Sequence, residues 1–111
     1  MKGPDKVRVG PHRYRIRYDK DAIDLKATEH NERRLYGLTE PVSQLIHIDP
    51  TLAASQMRDT VLHEVLHACL SLIGADEFLS PSKEERLVRA LSPALLQVLR
   101  DNPKLVRFLT D

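Results

Sequence analysis

Apolar and charged residues alternate through the first part of the chain. Over residues 6–18, Val7 and Val9, then Tyr14, Ile16 and Tyr18, fall on one side, with Arg8, Arg13, Arg15 and Arg17 on the other. A period of two is what half-buried strands require. Gly10-Pro11 separates the two runs and predicts a hairpin turn. Residues 19–39 are polar and mixed; the pattern allows a short helix near 21–27 and a strand near 33–38. Alternation returns at 43–48 through Leu45, Ile46 and Ile48, and stops at Asp49-Pro50. Asp favours a helix cap and Pro is tolerated in the first turn, so this pair predicts a strand feeding a helix.

From about residue 52 the period changes. Leu62, Val65, Leu66, Cys69, Leu72 and Ile73 recur at steps of three and four, predicting a helix over about 52–73 that ends at Gly74, a residue suited to left-handed termination. Residues 75–83, with Pro81, read as a loop, and Leu87, Val88, Leu91, Leu95 and Leu99 restore helical spacing over 84–100. Ser92-Pro93 is either a kink or the cap and first residue of a new helix. Pro103 opens a last turn carrying Leu105, Val106, Phe108 and Leu109. The fold expected is a single α+β domain over 1–111. It has a small, mostly antiparallel sheet (strands within about 6–49) packed on the 52–73 helix, with further helices over about 82–109 alongside.

Composition narrows the picture. With 111 residues, 41% hydrophobic and 30% charged, the chain suits one modest core and hence one principal site. Seventeen Lys+Arg against 16 Asp+Glu leave a formal charge of +1, which gives no ground for a nucleic-acid or membrane-surface partner. The strand arginines accordingly read as solubilising charge on a wet sheet face. A lone cysteine, Cys69, excludes an internal disulfide framework. No signal-like leader opens the sequence and no apolar run approaches the roughly 20 residues of a membrane span, so a cytoplasmic location is expected. Apolar surplus along 95–109 would suit a homodimer.

The chemistry concentrates at His63-Glu64-Val65-Leu66-His67. Residues four apart share a helix face, so the two imidazoles can converge on one ion at about 2.0–2.1 Å, with Glu64 bordering the same opening and Val65 and Leu66 turned toward the core. A third protein ligand would leave one tetrahedral position for water. Glu84 and Glu85 are the candidates: Glu84 falls within the Leu87/Val88/Leu91 stripe and Glu85 at its edge, and either geometry could face the motif helix. The competing reading of Glu85 is a capping box with Ser82, and that of Glu84 a first-turn acid. Asp76 and Glu77 follow His67 too closely to be strong candidates. Cys69 reads as a core thiol, Arg89 as a surface partner of Glu85, and His12, His30 and His47 as strand or loop histidines, of which His30 or His47 could reach the site from the sheet.

H-E-x-x-H followed by a helical glutamate resembles the gluzincins, the thermolysin-like zinc metallopeptidases. More narrowly, V-L-H-E-V-L-H-A with K-E-E-R-L-V-R-A-L and L-R-D-N-P is similar to small zincin-like proteins encoded by phages and prophages. The resemblance implies Zn2+ held by His63, His67 and a glutamate, with Glu64 as general base. It favours Glu85 as third ligand, because Leu87, Ala90 and Leu91 match the apolar residues beyond the family's ligand. It implies hydrolysis of a peptide or protein substrate. The chain lacks the second domain of large gluzincins, so the oxyanion-stabilising residue is unassigned. The alternative is a zinc-stabilised accessory or interaction module without activity, which suits a small domain.

Overall fold

The computed structural model describes residues 3–29 and 35–111. The strand expected near 33–38 and His30 therefore lie partly or wholly outside the described residues. Among the described residues the elements in chain order are β1 (Lys6–Val9), β2 (His12–Tyr18), α1 (Lys20–Glu29), β3 (Gly37–Glu40), β4 (Leu45–Ile48), α2 (Ala54–Leu72), α3 (Pro81–Asp101) and α4 (Pro103–Thr110), with a 3-10 turn at Ala75–Glu77. The α+β class and the β1–β2 hairpin are as expected.

Strand order is β1-β2-β4-β3. The outer pairings, β1 with β2 and β3 with β4, are antiparallel, but the central pairing of β2 with β4 is parallel, so the sheet is mixed. A parallel neighbour needs a crossover, and α1 sits in the one that joins β2 to the β3–β4 hairpin. Residues opposite one another share a face. Tyr14, Ile16, Ile46 and Ile48 point to one side, where with Val9 and Ala68 they form the core beneath α2. Thr39 and Gly37, opposite Ile46 and Ile48, lie on that same side.

Three boundaries differ from the expectation. Asp49 does not cap α2. Its Oδ1 accepts the Thr51 N–H (2.8 Å) and hydroxyl (2.6 Å), closing a local turn, and the helix starts later at Ala54. The region read as a loop up to residue 83 already contains the start of α3, capped by the Ser80 Oγ, which accepts the Lys83 N–H at 3.3 Å. Ser82 is thus inside the helix, and the Ser82–Glu85 capping box does not form. Pro93 lies within a single continuous α3 and does not begin a new helix. Gly74 adopts φ 69°, the left-handed conformation anticipated after α2.

Ser92, fully buried, ties the two long helices together: its hydroxyl donates to Asp59 Oδ1 at 2.8 Å and lies 3.1 Å from the Asp59 carbonyl. Asp59 precedes His63 by one turn, so this contact fixes how far α3 slides along the motif helix.

Candidate metal centre

The motif falls in the middle of α2. Its most buried stripe is Thr60, Glu64 and Ala68, while Val61, Val65 and Cys69 pack against the core of the sheet as half-buried neighbours. His63 and His67 therefore emerge on the flank that meets α3, their ring centroids 4.9 Å apart.

Both glutamates of α3 reach them. Glu85 bridges the pair, with Oε1 2.8 Å from His63 Nε2 and Oε2 3.2 Å from His67 Nε2. Glu84 Oε2 lies 2.6 Å from His67 Nδ1. An ionised carboxylate can only accept, so His67 Nδ1–H is the donor to Glu84 and Nε2 is directed at the shared opening. One ligand atom from each of His63, His67 and Glu85 lies within 4.8 Å of the others, a group able to hold a metal ion. Both candidate glutamates engage the motif, but in different places: Glu85 joins the convergent cluster and Glu84 grips the far side of one ring.

Glu64 is buried, 5% exposed, on the side of α2 that faces β3. The Thr39 hydroxyl donates to its Oε1 at 2.8 Å. Gly37 makes room for it: a Cβ there would stand 2.9 Å from Glu64 Cγ and 3.0 Å from Thr60 Cγ2. Burial pushes the Glu64 carboxyl up from the ordinary 4.5 to about 7, against the opposing pull of the Thr39 hydrogen bond and of His67. Burial also lowers His63, despite the Glu85 carboxylate beside it. Neither Gly37 nor Thr39 was picked out from the sequence. Their register opposite Ile48 and Ile46 was the missing information, since a strand pattern alone does not say which helix it will lie beneath.

An open groove of about 770 Å3 runs between β3 and the α2–α3 pair, and His63, Glu64, His67 and Glu85 are among the residues that line it. Asp76 and Glu77 are outside the cluster, bordering a second hollow of about 540 Å3 on the far side of His67 and Glu84. His12 is exposed and accepts from the Gln44 amide. His47 does not reach the site from the sheet: it pairs with Leu38 on the opposite face from Thr39, buried, with Nε2 donating to Glu40 Oε1 at 2.7 Å. Arg89 meets Glu85 only at 3.9 Å, as an exposed pair. Among the described residues no helix is long and apolar enough to cross a membrane. Comparisons with protein-family models, curated proteins and solved structures find no match to this chain.

Proposed function

We propose that the chain is a zinc-dependent metallopeptidase acting on a peptide or protein substrate, with His63, His67 and Glu85 as metal ligands and Glu64 as general base. One observation carries this reading: a convergent His, His, Glu donor set adjoins a separate buried carboxyl that titrates near neutrality, at the wall of an open groove. Two imidazoles and one carboxylate suit zinc in catalytic rather than structural sites, where three protein ligands leave a position open. Zinc, when bound, would supply Lewis acidity toward water and the substrate carbonyl.

The protein's own groups divide the remaining work. Glu84, accepting the His67 Nδ1–H, fixes the ring's orientation and makes Nε2 a better donor. Thr39 holds Glu64 Oε1, leaving the other carboxyl oxygen to take a proton and deliver it to the departing amine. β3 is an edge strand among the described residues and forms one wall of the groove, so an extended peptide would find main-chain partners along it. A purely structural ion would leave the buried Glu64 carboxyl unexplained.

The Glu64→Gln variant is the test. Zinc content should be retained, and hydrolysis of an unfolded protein substrate should fall on the order of 10²–10⁴-fold, the usual contribution of a positioned acid–base group. Undiminished turnover in a clean preparation would contradict the assignment.

A further inference from the structure

The sheet has a second face, and its charge is segregated. The β1–β2 register sets Arg8 directly opposite Arg13, and Lys6 directly opposite Arg15. Arg17, two residues along β2, continues the row on the same side. All five are exposed, while the alternating Val7, Val9, Tyr14 and Ile16 face the core. α1 packs over β3 and β4 on this side, where Lys26 meets Glu40, leaving the β1–β2 half to the cations. Among the described residues no carboxylate lies within ion-pairing distance of any of the five.

Like charges set directly opposite on a sheet destabilise it. A surface serving solubility alone intersperses both signs. Here five positive charges stand on one patch of a chain whose formal total is +1, so the remainder carries −4. The overall balance, which gave no hint of a polyanionic partner, conceals this local concentration of positive charge. Residues alternating on one side of a strand stand about 6.6–6.8 Å apart, so the patch is a regular array on a rigid platform. Four of the five are arginines, whose planar forks bind phosphate oxygens bidentately.

We infer that the β1–β2 face docks the phosphate backbone of a nucleic-acid duplex. A single strand is disfavoured because binding it draws on aromatic stacking, and Tyr14 on β2 points into the core. A lipid surface is disfavoured because amphipathic docking needs apolar anchors among the cations, and none of the exposed large apolar side chains lies on β1 or β2. Contacts limited to phosphates are independent of sequence and strongly salt-dependent.

The experiment is fluorescence anisotropy of the full chain with short labelled duplexes of DNA and of RNA, at several salt concentrations. Parallel arms use single-stranded DNA and phosphatidylserine vesicles. Duplex binding of the wild type should weaken steeply with salt. The Arg13→Glu/Arg15→Glu variant should bind about tenfold or more weakly and with a salt slope reduced by about two. The same variant should melt at a higher temperature, because each glutamate then faces a cation, so lost binding would not be lost folding. Arg100→Glu, an exposed arginine of α3, should keep the wild-type slope. Absence of duplex binding at low salt, equal binding by the double variant, or a preference for vesicles or single strands would overturn the inference.

Discussion

At the scale of single residues, Glu64 is where burial and chemistry meet. Its carboxyl binds a proton more tightly folded, at about 7, than at its ordinary 4.5. Its contribution to the stability of the metal-free protein is therefore full below about pH 4.5 and lost as pH rises through 7, amounting to about 3 kcal/mol. Glu64→Gln should remove that loss: in chelator, its advantage over the wild type in urea unfolding should be small at pH 5 and largest near pH 8. Gly37 is the complementary case. Its missing side chain is the space Glu64 occupies, so Gly37→Ala should cost about 1–3 kcal/mol by overpacking, and should reduce turnover more than zinc affinity. Parallel denaturation, activity and zinc-titration measurements would check this; equal stability and activity would show that Glu64 does not need that seat.

At the scale of elements, the motif helix was legible because its signals agree: helical periodicity, a glycine terminator and two histidines one turn apart all place α2 and its exposed flank. Its neighbour was harder to read. Ser82 and Ser80 both offer a hydroxyl, and S-x-x-E spacing favoured the wrong one. The structure uses Ser80 and starts α3 two residues earlier, at Pro81, which frees Glu85 for the histidines. The sequence offers Ser92 only as part of a kink or as a helix cap before Pro93, yet its buried hydroxyl bonded to Asp59 sets the registry of the two helices. Replacing it by Ala leaves Asp59 short of a partner. Ser92→Ala should therefore cost about 1–3 kcal/mol, and it should weaken zinc binding because Glu84 and Glu85 lie on the helix it anchors. Thermal unfolding with and without zinc separates the two effects, and an unchanged zinc affinity would mean that α3 finds its position without this contact.

At the scale of the whole molecule, composition revealed size and class but not layout. Alternation identified the strands that bury one face, but period-two patterns carry no direction, so the parallel β2–β4 pairing at the centre of a sheet expected to be mostly antiparallel was not readable. Strand order also decides which residues meet. It makes β3 the outer strand beside Glu64, and it brings four arginines and a lysine onto one surface. The last helix, α4, leaves Leu105, Phe108 and Leu109 exposed, part of the apolar surplus that would suit a homodimer. The central claim is that two imidazoles of α2 and one carboxylate of α3 hold a zinc ion, with Glu84 orienting one of them. Elemental mass spectrometry of the wild type, Glu85→Ala and Glu84→Ala, each dialysed against the same trace zinc, tests it most directly. The wild type should retain one zinc per chain, Glu85→Ala should retain none, and Glu84→Ala should bind about 10–100-fold more weakly. A wild type that carries no zinc, or a Glu85→Ala variant that carries as much as the wild type, would contradict it.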